Sequence, residues 1–224
     1  MKILLDTAST AEIKRAMEVY SVVGVTTNPT IIAKENTDFF PLLKEIRQLL
    51  GPKRELHVQL TGANAAEMWR ETQRIWDELG QTVYIKIPTN REGLIAMRRV
   101  KEAGGRVTAT AVYGVPQALL AAYTGADYVA PYINRMQNLD IDSIRAVEQL
   151  ALAYRMHGLE TNILAASFKN AKQVIDALLA GAHAVTVGAD ILDTIVENNI
   201  ITGAIDGFMS DWRSVYGEKK IYEF

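Results

Sequence analysis

Short runs rich in aliphatic and β-branched residues alternate along this chain with longer segments whose apolar positions recur at helical spacing. The runs are KILLD (2–6), VVGVTT (22–27), LHVQL (56–60), TVYIKIP (82–88), RVTATAV (106–112), DYVAPY (127–132), TNILAAS (161–167) and HAVTVG (183–188). Between them, Ser9 with Glu12 and Asn64 with Glu67 fit capping boxes, and Asp142 is placed to cap the helix that runs through Arg155. Gly80, Gly104, Gly125, Gly158 and Gly181 follow helical patterns where a helix end needs left-handed backbone. Spread over 224 residues, eight such units take roughly 28 residues each, which fits a closed parallel (β/α)8 barrel, the TIM barrel, better than an open sheet. No glycine-rich GxGxxG follows the first run, as a dinucleotide-binding fold requires. Without internal repeats, low-complexity segments or linkers, the chain reads as one α/β domain. Residues 1–200 form the barrel, and 201–224 form an additional C-terminal helix and tail. In ITGAIDGFMSDWRSVYG (201–217), Ile205, Phe208, Met209 and Trp212 share one helical face; packing on the core is the expectation and a subunit contact the alternative.

Strand alternation then sorts the polar residues. In TVYIKIP, Val83, Ile85 and Ile87 face the helix layer, so Thr82, Tyr84 and Lys86 point into the barrel, with Lys86 nearest the C-terminal end of its strand. No other lysine lies in so apolar a run. Polar groups also close the neighbouring strands: Asp6 the first, Thr26 and Asn28 the second, Gln59 the third, Thr110 the fifth, Tyr132 the sixth and Ser167 the seventh. Taken singly, each has a plain structural use. Asp6 could cap a helix, Asn28 could fix the turn before Pro29, Ser167 could be a loop hydroxyl, and Thr26 and Thr110 could be strand fillers. Their convergence on one mouth favours a site, because pockets form at that end of this architecture.

Composition narrows what the site handles. A net charge of -2 with 22% charged residues provides no basic field for nucleic acid, so a small molecule is the expected partner. No apolar run approaches the roughly 18 residues of a membrane span, and the apolar run before Asp6 is only Ile3, Leu4 and Leu5, so neither membrane insertion nor a leader is expected. With no cysteine, the chain suits a reducing cytoplasm. His57, His157 and His183 fall in separate elements without ligand spacing, and no metal is expected. That leaves the lysine. Burial disfavours an ammonium ion, and a neutral amine can attack a carbonyl to form a Schiff base. The alternative is a buried ion pair between Lys86 and Asp6.

The segments LDTAS, GVTTNPTIIA, VYIKIP, TATAVYG, GADYVAPYINR and LAASFKN resemble the transaldolase family, and specifically its small fructose-6-phosphate aldolase branch. The likeness runs along essentially the whole chain. It implies a class I, cofactor-free (β/α)8 enzyme with Lys86 as Schiff-base lysine and Asp6 handling the proton on the C4 hydroxyl during carbon-carbon cleavage. It further implies that Asn28 and Ser167 hold substrate hydroxyls, and that Gln59, Thr110 and Tyr132 position the water that moves protons. Arg135, helped by Ser167 and Lys169, would take the phosphate of a sugar phosphate, and Thr26 lies among the substrate-binding residues. Transaldolases usually carry glutamate where this chain has Gln59 and phenylalanine where it has Tyr132. Both positions, and Asn134, therefore side with the aldolase branch, a lyase of carbohydrate metabolism. The segment MQNLDIDS (136–143) departs from the glycine-containing loop of bacterial aldolases, a difference that bears on acceptor preference. The expected reaction is reversible cleavage of fructose 6-phosphate to dihydroxyacetone and glyceraldehyde 3-phosphate. Its rivals are a transaldolase and a noncatalytic sugar-phosphate-binding barrel. The resemblance also implies a homo-oligomer, a decamer in which the C-terminal helix crosses to a neighbour.

Overall fold

The computed structural model describes residues 1–224. In chain order the elements are β1 (Lys2–Asp6), α1 (Thr10–Val19), β2 (Gly24–Thr26), α2 (Pro29–Lys34), α3 (Phe39–Leu50), β3 (Glu55–Gln59), α4 (Ala65–Leu79), β4 (Tyr84–Pro88), α5 (Arg91–Glu102) and β5 (Arg106–Val112). They continue with α6 (Val115–Tyr123), β6 (Tyr128–Pro131), α7 (Ile133–Gln137), α8 (Ser143–His157), β7 (Asn162–Ala165), α9 (Ala171–Leu179), β8 (Ala184–Val187), α10 (Ala189–Val196) and α11 (Asn199–Tyr216). The eight strands pair in sequence order, all parallel, and β8 closes on β1. This is the (β/α)8 barrel that the alternating runs predict.

Local chemistry places the ends. Ser9, Asn64 and Asp142 each accept a backbone N–H three residues on, at the starts of α1, α4 and α8. Neither proposed capping box closes: the Glu12 carboxylate accepts from the Thr7 hydroxyl, and Glu67 accepts from the Ala63 N–H. Gly93 is fixed by a close approach rather than by conformation, since a Cβ there would lie 1.8 Å from the Pro88 carbonyl oxygen at the end of β4.

Two apolar bodies fill the molecule. The larger lies between the strands and the helix ring and takes in Val83, Ile85 and Ile87; the smaller, Leu4, Tyr128, Leu164 and Ala184 with Val23 and Tyr84 against them, plugs the floor of the barrel. Above that plug the interior is polar, with Thr26, His57, Lys86, Thr108, Thr110 and Thr186 all buried. Tyr84 and Lys86 face inward as alternation predicts. Thr82 does not: it precedes β4 and is exposed, because the strand begins only at Tyr84.

The expected core packing of the C-terminal helix is overturned. Helix α11 buries no residue on the barrel; Ile205 and Phe208 are 53% and 72% exposed. Its aromatic residues instead meet the tail that follows, with the Trp212 and Tyr216 rings 4.6 Å apart and Trp212 Nε1 donating to the Lys219 carbonyl at 2.7 Å.

Candidate active site

Lys86 enters the barrel from β4, paired in register with Gln59 of β3 and Thr108 of β5. It is 3% exposed, and its Nζ donates to the Thr27 carbonyl oxygen at 3.1 Å. No carboxylate lies within ion-pair distance of it. Asp6 instead accepts from Thr26 Oγ1 at 2.7 Å, and helix α1 is capped by Ser9 rather than by Asp6. Both plain uses of these two residues, a buried ion pair and a helix cap, are therefore absent.

At the C-terminal ends of the strands opens a cavity of about 440 Å³. Asp6, Asn28, Lys86, Tyr132, Arg135, Ser167 and Lys169 line it together. Thr26 and Thr110 stand one hydrogen bond behind, Thr26 on Asp6 and Thr110 Oγ1 at 2.8 Å from the Tyr132 hydroxyl. Gln59, the in-register neighbour of Lys86, is not among the residues that line this cavity. It lines a neighbouring cavity of about 190 Å³ beside Thr27 and Asn28, and its Oε1 is buried without a hydrogen-bond partner. Asn28 serves two purposes: its Oδ1 caps α2 by accepting from the Ile31 N–H at 3.0 Å, while its side chain faces the cavity.

Backbone geometry at the mouth is unusual in two places. Ser167 has φ of 62° and Ala111 φ of 55°, in the left-handed region that side chains with a Cβ rarely adopt. At Ala111 the β5–β6 register slips, which marks a bulge between Ala109 and Val112. The extra residue lets Thr110 keep facing the interior while Val112 returns to the helix side, where it is fully buried. Gln117 of α6 clips the bulge, its Nε2 donating to the carbonyls of Ala111 and Thr89 and its Oε1 accepting from Tyr113 N–H. Ser167 in turn offers its carbonyl to the Asn134 N–H at 2.8 Å, tying β7 to α7.

Positive charge gathers on one rim, where Lys34, Arg135 and Lys169 border the same cavity. The Arg135 guanidinium lies 4.9 Å over the Tyr132 ring. The Tyr113 hydroxyl beside it, followed by the fields of Tyr132 and Asp6, holds it still more firmly in the charged form. Beneath Lys86, His57 is wholly buried, stacked on Tyr84 with ring centroids 4.4 Å apart. Its Nδ1 meets Thr108 Oγ1 at 2.8 Å and its Nε2 meets Glu55 at 3.2 Å. Burial keeps this imidazole below its ordinary proton affinity, against the pull of Glu55.

Sequence reasoning missed several of these groups. Lys34 ends a short helix whose fold-back over the mouth has no sequence signature. Tyr113 lies just past the bulge, beside Arg135 and with its ring centroid 5.6 Å from that of Tyr132. Thr186, whose hydroxyl lies 2.6 Å from that of Thr26, was within reach: alternation applied to HAVTVG puts Ala184 and Thr186 inward.

The chain matches the family described as Transaldolase/Fructose-6-phosphate aldolase over residues 3–218. It is also similar to a "Probable fructose-6-phosphate aldolase" of Streptococcus pneumoniae (strain ATCC 700669 / Spain 23F-1). The two are 42% identical over 222 residues, covering 99% of this chain and 100% of that protein.

Proposed function

Because the chain belongs to the transaldolase/fructose-6-phosphate aldolase family, we propose that it is a Schiff-base aldolase that reversibly cleaves fructose 6-phosphate into dihydroxyacetone and glyceraldehyde 3-phosphate. The observation that carries this reading is a buried lysine with no carboxylate partner, opening on a cavity that also holds Asp6 and a basic rim. In the amine form Lys86 attacks C2 of the open-chain sugar, and loss of water gives an iminium. The Asp6 carboxylate takes the C4 hydroxyl proton as the bond from C3 to C4 breaks, and the electron pair moves into an enamine on Lys86. Glyceraldehyde 3-phosphate leaves with its phosphate released by Arg135, Lys169 and Ser167. A water held by Tyr132, Thr110 and the unpartnered Gln59 Oε1 gives a proton to C3 and takes the one held by Asp6 in return, restoring the carboxylate, and a further water hydrolyses the iminium to free dihydroxyacetone and the Lys86 amine. Asn28 and Ser167 hold the dihydroxyacetone hydroxyls, and Thr26 supports the site from below. The sequence of steps requires no cofactor.

Incubation with fructose 6-phosphate, with and without erythrose 4-phosphate, tests the reading. Release of dihydroxyacetone and glyceraldehyde 3-phosphate in stoichiometric amounts without acceptor is expected. Turnover only when acceptor is present would make the protein a transaldolase, and no turnover in either mixture would leave a sugar-phosphate-binding barrel.

The proposal extends to assembly as a homo-oligomer, the decamer of the resemblance. Helix α11 buries nothing in its own chain and leaves Ile200, Ile205, Phe208 and Val215 exposed, an arrangement that fits docking on another subunit. A cysteine-free chain in which no helix is long and apolar enough to cross a membrane fits work in the cytoplasm.

A further inference from the structure

We propose that Thr186, on the strand that closes the barrel, is a positioning residue for Asp6 and acts through Thr26. The inference rests on the reading of Asp6 as the group that handles the C4 hydroxyl proton. Strands β8, β1 and β2 are neighbours, with Thr186 in register with Leu4 and Thr26 in register with Asp6. The two threonine side chains reach each other inside the barrel, and their hydroxyl oxygens lie 2.6 Å apart. Thr26 Oγ1 is also 2.7 Å from Asp6 Oδ1.

The direction of this chain follows from donor count. An ionised carboxylate only accepts, and a threonine hydroxyl has one proton. Thr26 gives its proton to Asp6, so in the contact between the two threonines Thr186 must be the donor. Neither hydroxyl has another protein partner, and both residues are buried, Thr186 2% exposed and Thr26 not at all. The relay therefore ends on one oxygen of Asp6 and leaves Oδ2 without a protein partner in the cavity that Lys86 enters. A buried hydrogen-bond chain polarises in the direction of donation. Donation from Thr186 strengthens the bond that Thr26 makes to Asp6 and holds the carboxylate plane. When Asp6 has taken a proton on Oδ2, Oδ1 still accepts from Thr26, so the relay keeps its direction and holds the carboxyl plane through cleavage and its reversal alike.

A merely structural threonine pair would behave differently. Its loss would weaken every property of the protein together, whereas a positioning role falls only on the step that uses Asp6. Schiff-base formation between Lys86 and dihydroxyacetone involves no C4 hydroxyl. Cleavage of fructose 6-phosphate does.

The test compares Thr186→Val, which keeps the branched shape and removes the hydroxyl, with Thr186→Ser, which keeps the hydroxyl. Each is measured for borohydride trapping of dihydroxyacetone and for cleavage of fructose 6-phosphate, with Asp6→Asn alongside. For Thr186→Val, trapping at the wild-type rate is expected, with kcat for cleavage reduced about tenfold and KM little changed. Thr186→Ser should return kcat to within about threefold of wild type. If Thr186→Val does not fold, Thr186→Ala against Thr186→Ser reads the same contrast, since that pair differs only in the hydroxyl. Cleavage unaffected by loss of the hydroxyl, trapping and cleavage falling in parallel, or failure of serine to rescue overturns the proposal while Asp6→Asn still blocks cleavage. If Asp6→Asn cleaves as fast as wild type, the assignment of Asp6 fails, and the role of Thr186 fails with it.

Discussion

The hydroxyls of Thr110 and Tyr132 meet at 2.8 Å across the ends of β5 and β6. The contact exists because of the bulge at Ala111, which lets β5 run three residues, from Ala109 to Val112, while β6 advances two. The Tyr132 N–H is bonded to the Val112 carbonyl just past the bulge. A backbone irregularity thus brings two hydroxyls together on the wall of the cavity beside Lys86.

Tyr132→Phe removes the phenolic hydroxyl with little change in packing. If that hydroxyl helps discharge the enamine, its loss should slow release of dihydroxyacetone by on the order of 10² to 10⁴ and leave the enamine waiting for an aldose phosphate. The ratio of dihydroxyacetone to sedoheptulose 7-phosphate, measured with fructose 6-phosphate and erythrose 4-phosphate together, should shift toward transfer. An unchanged ratio removes Tyr132 from the release step.

Ala111 sits at φ of 55°. Glycine there should be neutral or stabilising, because left-handed backbone costs a residue with a Cβ about 1–2 kcal/mol. Valine, stiff at χ1 and rarely found at positive φ, should destabilise by more than that and lower cleavage activity as Thr110 is displaced. Urea denaturation of the two variants checks the order; equal stabilities would mean that the bulge carries no strain.

Arg135 borders the cavity beside Lys169, with its charge spread over the Tyr132 ring. Arg135→Ala should raise KM for glyceraldehyde 3-phosphate in the synthetic direction about 10- to 100-fold, the worth of a charge-assisted hydrogen bond. The KM for unphosphorylated glyceraldehyde should barely move. Equal losses with both aldehydes would assign Arg135 to the chemistry or to the fold.

Acid should destabilise the protein from below the barrel. Burial lowers the proton affinity of His57, so below about pH 6.5 the unfolded chain takes a proton that the folded chain resists. Stability from this residue is complete above that pH and is lost as pH falls, by at most about 1.36 kcal/mol per pH unit. Glu55 follows later. Burial opposes its ionisation, yet the hydrogen bonds from His57 and Lys2 bring it down to about 2, so its contribution holds above about pH 4.5 and disappears as the pH falls toward 2. Urea midpoints should change little between pH 7.5 and 6.5 and fall between pH 6.5 and 5.5, and His57→Gln should flatten that fall. A flat wild-type profile would contradict the burial of a neutral His57.

How much of this was legible beforehand depends on the range over which each feature is specified. The eight strands and the inward course of Tyr84 and Lys86 follow from alternation, a local property, and the punctuating glycines are indeed left-handed, from Gly158 at 61° to Gly181 at 104°. Of the seven residues that share the cavity, Asp6, Asn28, Tyr132 and Ser167 were legible because each closes an apolar run and Lys86 because it interrupts one, whereas Arg135 and Lys169 rest on the family resemblance alone. Thr82 was misplaced because strand onset depends on pairing with β3 and β5, which only begins at Tyr84. The bulge was hidden because alanine carries no signal for positive φ. Asp140, at φ of 57°, similarly turns the chain after α7 without a glycine, and acidic side chains tolerate that geometry. Amphipathicity marked α11 as a helix with an apolar face, but it says nothing about which surface that face meets.

The proposed aldolase activity turns on Lys86 bonding covalently to the substrate. Borohydride reduction of the protein in the presence of dihydroxyacetone, followed by peptide mass analysis, reads this directly. One reduced dihydroxyacetone adduct per chain on the peptide containing Lys86, and none in Lys86→Met, is the expected result. An adduct on another lysine, or labelling of Lys86→Met equal to wild type, would contradict it.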